Sequence, residues 1–521
     1  MTGARTDALI VGAGAAGSLY AARLAAAGKS VLVLEAGPAW KNEDLVSSLI
    51  WARRLRWGGP PVASGGDNPL GVGFNTGWGL GGAALHHYGT WPRLMPSDFT
   101  MKSDHGQGLD WPIGYDDLRP FYDRVQEEVG ISGDADEEVW RPAGAAYPLP
   151  PLEQFAQARL VSAGFEKLGM KTAPSPMAIL SRPYKGRDAC IYDGWCDAGC
   201  PIGALANPLV TYQAAARKAG ARFVTGTYVT RLIQGSNKGE VAGVEYIDGD
   251  GAAQRAEADV VILAASTIGN PAILLNSTGE GWDGGAANSS GLVGRYVMGH
   301  SIAAVYGFFD DVETQNYLGV SGAQRTNQDH YDKTSLGGGA FGSLQWQIGP
   351  ATKPNDLLGV AMAKANLFGE DLTRFMDRAV HHMAVMFGFG EGLPVRENRV
   401  ELTDAKGPGG TKLARVVHGF PAPSMKLWEK ASELGVRVMD AAGAADPWSG
   451  PPASAHLMGG TIMGSDSETS VTDSYGRCHD VANLFVAGPG LFPTGGAMNP
   501  NFTNHAVSLR GVEHLIGNWP K

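Results

Sequence analysis

The stretch that decides the fold is DALIVGAGAAGSLYAARLAAAGKSVLVLEAG, residues 7–37. Asp7 to Val11 leads into a short apolar run that reads as a buried strand. SLYAARLAAAG has helical spacing, and VLVLEAG from Val31 is a second buried strand. Between the first strand and the helix, Gly12, Gly14 and Gly17 spell G-x-G-x-x-G, and Glu35 closes the second strand 18 residues after Gly17. Each part has a mechanical task. The first glycine permits the tight turn, the second lets the backbone approach a pyrophosphate, and the third allows close helix packing. The helix N-terminus stabilises phosphate charge, and Glu35 accepts from a ribose hydroxyl, which suits an adenosine without a 2'-phosphate. The unit predicts a dinucleotide, FAD or NAD, held on a Rossmann-like α/β sheet.

Working outward, TYQAAARKAGARFVTGTYVTRLI supplies helix and strand, and VAGVEYID and DVVILAAS near Val241 and Asp259 supply further strands for the same sheet. The C-terminal NLFVAGPGLFPTGGAMNPNFTNHAVSLRGVEHLI returns to strand, Gly/Pro loop and helix, so the dinucleotide-binding part is assembled from separated segments. Residues 40–115, rich in Gly, Trp and Pro with little periodicity, predict long ordered loops laid over a ligand. DLRPFYDRVQEEVG from Asp117 and EQFAQARLVSAGFEKLG from Glu153 are amphipathic helices. From about residue 300 to 450, segments such as AVYGFFD and HHMAVMFGF fit an antiparallel sheet with one wall facing a ligand. The expected division is residues 1–115, 187–300 and 450–521 for the dinucleotide, residues 116–186 and 301–449 for substrate, and a cysteine-bearing loop at 187–208.

Composition excludes several classes. Among 521 residues, 74 are glycine, about twice the usual share, and 44% are hydrophobic, which describes a folded, loop-rich chain and not a disordered one. A net charge of -10 disfavours nucleic acid or an anionic membrane surface as partner. Four cysteines are too few for a disulfide-built scaffold. MTGARTDALIVGAG carries no leader, so the expectation is a chain without an export signal of its own. No apolar run reaches the length of a bilayer span, which leaves peripheral attachment through a partner.

The opening unit, followed by GWGLGGAALHHYGTW from Gly77, resembles the glucose-methanol-choline (GMC) flavoprotein oxidoreductases, and ILAASTIGNPAILLNSTG from Ile262 resembles that family's second signature. Asn270 stands there where a small residue is usual before Pro271. The resemblance implies FAD over NAD, with Gly81 and Gly82 against the flavin ring, where glycine lets backbone amides approach a flat ligand. In the family's pyranose oxidases a histidine at the position of His86 carries the flavin covalently. The open choices are that bond at His86, or simple packing of His86 or its neighbour His87 beside the ring. Further cofactor contacts implied by the resemblance are Val229, Gly488, Pro500 and Thr503, while His505 on the following helix is read as structural.

SAHLMGGTIMG contains His456, and PTGGAMNPNFTNHAV contains Asn499, 43 residues later, at the family's catalytic positions. Oxidising an alcohol removes a proton from oxygen and a hydride from carbon, so a base must sit beside the hydroxyl and an acceptor beside the C–H. A neutral histidine accepts that proton near pH 7, and an asparagine donates to the same oxygen without titrating.

CIYDGWCDAGCPIGALANP spaces Cys190, Cys196 and Cys200 as C-x5-C-x3-C. This is not zinc spacing, which asks for two close pairs or a Cys/His quartet. The spacing and the CPIGA ending resemble the catalytic subunits of bacterial FAD-dependent glucose and fructose dehydrogenases. There three cysteines hold a 3Fe-4S cluster near the flavin. The alternative is a loop that has lost its cluster, and Tyr192, Asp193, Gly194 and Trp195 depart from those subunits. Cys478 is read as a core cysteine.

The resemblance thus implies an FAD-dependent dehydrogenase of a sugar or polyol that passes electrons through the cluster to an external acceptor. The related enzymes pair with a small signal-bearing subunit and a multihaem cytochrome, so the chain is expected in the cytoplasm or exported as a passenger to the periplasm. An oxygen-reducing sugar or glycoside oxidase and a non-catalytic flavin-binding electron-transfer subunit are the alternatives. Trp78, Trp91, Trp195 and Trp346 are compatible with sugar stacking, although tryptophan is more often core.

Overall fold

Thr6–Val11, the opening strand, lies inside a seven-stranded sheet of order Arg222–Val224, Val31–Leu34, Thr6–Val11, Ala253–Leu263, Val241–Ile247, Tyr228–Gln234. Leu484–Val486 joins it on Ala253–Leu263. The computed structural model describes residues 5–56, 58–237 and 239–520. Ala8 pairs in parallel with Val31 on one side and with Val260 on the other, so the opening strand is flanked on both edges. Leu9, Ile10, Val33 and Val260 through Leu263 are fully buried, which is why these strands are continuous apolar runs without alternation. The helix Ala15–Ala26 packs against Tyr212–Lys218 and Asn501–Gly517.

The second sheet is antiparallel, with order Ala445–Ser449, Met298–Phe308, Met383–Gly390, Leu344–Ile348, Arg325–Asn327, Ala173–Pro174. Ala453–Met458 also pairs with Met298–Phe308. On its outer face Trp346 is fully buried against Phe165 and the helices Ala156–Lys167 and Ala422–Ala442. The inner face carries His300, Gln345, Gln347 and Phe389, because residues two apart on a strand share a face and Gln345 is registered opposite Phe389. A third, three-stranded sheet joins Ala63–Gly65 to Arg399–Lys406 and Lys412–Val417.

Long-range pairing redraws the expected boundaries. Tyr115–Val129, assigned from sequence to the substrate part, packs on Asn501–Gly517, its Leu118, Tyr122, Val125 and Val129 stripe buried in the dinucleotide-side core. Ala453–Met458, assigned to the dinucleotide part, belongs to the substrate sheet through its pairing with Met298–Phe308. Residues 399–417, also assigned to substrate, pack on the helix Ser266–Asn276 beside the cofactor cavity.

Candidate active site

The glycine loop and its surroundings enclose a cavity of about 810 Å³. A Cβ on Gly12, where φ is +100°, would lie 2.5 Å from the Ala264 carbonyl oxygen, and one on Gly17 would lie 2.0 Å from that of Gly12. Both positions therefore need glycine. Gly14 precedes the helix Ala15–Ala26 and faces the open cavity, with nothing within 4 Å of where its Cβ would be. Glu35 lines the cavity and ties three loops together. One carboxylate oxygen accepts from Ala13 N at 2.9 Å, and the other from Gly37 N at 2.9 Å and Gly79 N at 3.2 Å. Burial raises its pKa, against those backbone donors. Gly81 N donates to the Ala13 carbonyl at 3.0 Å, which brings the second glycine loop onto the first.

Gly82, Val229 and Gly488 line the cavity. Gly17 and Gly81 shape the loops behind it. The wall after Gly82 is made by Ala83 and Ala84, while the buried His86 ring hydrogen-bonds the Thr76 carbonyl through Nε2 at 2.9 Å. Burial drives the His86 pKa down to about 3, so the imidazole is neutral. His87 bonds the Ala206 carbonyl at 2.9 Å. Thr503 is not on the wall: its hydroxyl meets Tyr122 OH at 2.6 Å within the helix packing. The cavity-facing stripe of Asn501–Gly517 is Asn501 and Asn504, and three residues is the helical repeat that puts those two, and not Thr503, on one side. Pro500 begins that helix and is likewise absent from the wall. Asn270 has a clear task. Its Oδ1 accepts from Ala265 N at 2.7 Å, anchoring the start of Ser266–Asn276, whose Ser266, Thr267, Ile268 and Gly269 line the cavity.

His456 and Asn499 meet. Asn499 Nδ2 donates to His456 Nε2 at 3.2 Å. Asn499 Oδ1 in turn accepts from Gln347 Nε2 at 2.5 Å and Gln345 Nε2 at 3.3 Å, so its amide is held in one orientation. His456 sits where Ala453–Met458 changes register, with φ at +67°, a backbone state that costs a non-glycine residue on the order of 1–3 kcal/mol. Asn75 Oδ1 accepts from His456 N at 2.7 Å and fixes that kink. Asn75 and Leu457 both line the cofactor cavity, which puts the pair at its edge. Phe389 stacks on the His456 ring with centroids 5.3 Å apart. Burial first, then the neighbouring His300, hold the His456 pKa well below the ordinary imidazole value, leaving a neutral imidazole.

Next to the Gly495–Asn499 turn lies a buried ion network. Lys333 bonds Asp98 at 2.6 Å and Glu391 at 2.8 Å. Tyr331 donates to Asp98 at 2.8 Å and accepts from Ala497 N at 3.1 Å, bracing the turn two residues before Asn499. Sequence reading missed His300, Gln345, Gln347 and this network.

The sequence pattern of GMC oxidoreductases is matched over residues 6–300 and again over residues 428–508. The chain belongs to the GMC oxidoreductase family. This GMC oxidoreductase is 31% identical to 2-methyl-1,2-propanediol dehydrogenase of Mycolicibacterium austroafricanum, over 98% of this chain and 95% of that one. It is 29% identical to the fructose dehydrogenase large subunit of Gluconobacter japonicus, over 98% and 97% of the two chains. Among solved structures, pyridoxine 4-oxidase from Mesorbium loti superposes with a TM-score of 0.69 at 19% identity, covering 98% of both chains, which is a likeness of fold. The protein is an FAD enzyme of the class that oxidises CH–OH donors.

The three loop cysteines of this GMC oxidoreductase share one apolar pocket. Buried Cys196 and half-buried Cys190 and Cys200 pack with Leu152, Met177, Ile179, Leu205 and Val320. Cys190 Sγ accepts from Tyr192 N at 3.3 Å and Cys196 Sγ from Ser321 N at 3.5 Å. Burial pushes the Cys190 thiol up to about 12 and raises the other two, so the side chains stand as thiols. Among the described residues no group of three His, Cys, Asp or Glu side chains is arranged to hold a metal ion. Asp197 pairs with Arg56 at 3.7 Å and Lys353 at 3.4 Å, so its buried carboxylate has two cationic partners. Arg56 also lines the flavin cavity, so the loop adjoins it. Trp91 and Trp346 are core, and Trp78 lines the cavity. Trp195 lies beside Lys353. Cys478 is buried. No helix among the described residues is long and apolar enough to cross a membrane.

Proposed function

We propose that this enzyme oxidises an alcohol group of a sugar or polyol to a carbonyl, with His456 as base and Asn499 as the donor that orients the hydroxyl. FAD, when bound, supplies at N5 the acceptor for the hydride leaving carbon. The observation that carries the reading is the 3.2 Å contact between Asn499 Nδ2 and His456 Nε2 at the cavity edge. The alcohol proton goes to His456 Nε2. The second Asn499 N–H remains for the substrate oxygen, where it offsets developing negative charge. Gln345 and Gln347, both buried on the inner face, support a hydroxyl-rich substrate, as do the relatives that act on a diol and on fructose. The test is anaerobic flavin bleaching on a panel of sugars, polyols and small diols. Bleaching by at least one is expected, and none would contradict the reading.

The iron–sulfur relay is a separate part of the proposal on which no step above depends. The C-x5-C-x3-C spacing and the shared pocket support it; the alternative is an oxygen-reducing oxidase. Iron and acid-labile sulfide per flavin decide. About three irons per flavin supports a small subunit, a cytochrome acceptor and export with that subunit, whereas no iron with peroxide release supports the oxidase.

A further inference from the structure

Behind His456 stands a second histidine. His300, on Met298–Phe308, has no solvent exposure, and its Nδ1 lies 2.8 Å from His456 Nδ1. The two rings cross at 81° with centroids 5.0 Å apart, and Phe389 packs edge-on against His300. Both imidazoles are neutral, burial being the main cause in each.

One proton lies between those two Nδ1 atoms, and its owner decides the chemistry. If His300 owned it, His456 would carry its own proton on Nε2 and could not accept another there. If His456 owns it, His456 Nε2 presents a lone pair. The other contacts settle the direction. Gln328 Nε2 donates to Gln345 Oε1 at 3.2 Å, and Gln345 and Gln347 donate to Asn499 Oδ1. Asn499 must then donate to His456 Nε2, which requires the lone pair at that atom. The chain of donors runs one way, from the glutamines through Asn499 and His456 to His300.

We propose that His300 is a positioning residue for the alcohol oxidation: its Nδ1 accepts from His456 Nδ1–H and so keeps His456 Nε2 unprotonated, its lone pair passing from the Asn499 N–H to the substrate hydroxyl when the alcohol binds. This rests on the reading of His456 as base. In the step the substrate O–H bond breaks and an Nε2–H bond forms. The C–H pair leaves as hydride to the bound flavin, and His300 neither gains nor loses a proton. His300 Nε2 then carries its hydrogen. It lacks a hydrogen bond of ordinary geometry, and it faces the backbone of Gly495 and Gly496, in the turn that leads to Asn499.

The test is nitrogen NMR on FAD-loaded enzyme labelled with 15N-histidine, His456 being assigned by its loss in His456→Ala. Wild type is expected to show His456 protonated at Nδ1 and bare at Nε2. His456 protonated at Nε2 would overturn the proposal. His300→Phe removes the acceptor and is expected to shift the tautomer. His300→Asn, whose oxygen reaches the Nδ1 position, is expected to keep it, and His300→Gln, which reaches the Nε2 position, is expected not to. An unchanged tautomer in both His300→Phe and His300→Gln would also overturn it, and the Asn and Gln pair serves alone if the Phe variant does not fold. On the alcohol that bleaches the wild type, His300→Phe should slow flavin reduction by about 10- to 100-fold with unchanged half-saturation. If His456→Ala bleaches normally, the reading of His456 as base fails. If it does not and His300→Phe matches wild type in tautomer and rate, only the role of His300 fails.

Discussion

The reacting pair and the cysteine loop each place a few functional side chains beside the same flavin cavity, and they are built in opposite ways. Around His456, directed hydrogen bonds fix each polar atom: Gln347 and Gln345 hold Asn499, Asn499 meets His456, and His456 meets His300. Around Cys196 the neighbours are apolar, and burial holds the thiols protonated. The first region has its polar atoms oriented before any ligand arrives, as the proposed proton transfer to His456 requires. The second packs its three thiols among apolar side chains, with backbone N–H groups of Tyr192 and Ser321 as the hydrogen-bond donors to Cys190 and Cys196.

The contrast can be broken from either side. Removing the amide proposed to orient the alcohol, Asn499→Ala, should lower the flavin reduction rate by about 10²- to 10³-fold while flavin content stays at the wild-type level. Stopped-flow bleaching measures it, and a loss under tenfold would mean that the pair is not organised as described. Lys333→Met leaves Asp98 and Glu391 buried without their cation, so unfolding should become easier by ~3–5 kcal/mol in denaturant titrations. An unchanged midpoint would show that the brace behind the turn is dispensable. Because the His456 pKa lies well below 6.5, its neutral form persists on acidification. The reduction rate should therefore hold steady from pH 8 down through the ordinary imidazole range and fall only below it. An acid limb centred near 6.5 would contradict the buried-base account. The smallest effect is expected at the loop: Cys190→Ser with Cys200→Ser should leave anaerobic bleaching within a few-fold of wild type, whatever it does to transfer onward. A large loss of bleaching would couple the two regions more tightly than their contacts indicate.

The dinucleotide side was legible because its buried parallel strands are short unbroken apolar runs and its glycines have mechanical reasons for their spacing. His456 and Asn499 were legible through resemblance, and the structure brings them together. The rest depended on pairing between distant segments. Tyr115–Val129 looks like any amphipathic helix, and only its docking on Asn501–Gly517 assigns it a side. Thr503 could not be separated from Asn501 and Asn504 without knowing that Tyr122 claims its hydroxyl. LQWQI at 344–348 did hold a signal, since Gln345 and Gln347 flank Trp346 at strand spacing. Two amides on one face of a strand whose other face is core mark a polar wall, and both are buried. His300, inside GRYVMGH, carried none: its meaning lies in the ring 156 positions away.

The central claim is that His456 takes the proton while the flavin takes the hydride. It is tested most directly by mixing wild type and His456→Ala, each loaded with FAD, with a bleaching alcohol under anaerobic conditions. The account predicts equal flavin content and a variant slower by about 10²- to 10⁴-fold. A variant that bleaches at the wild-type rate would contradict it.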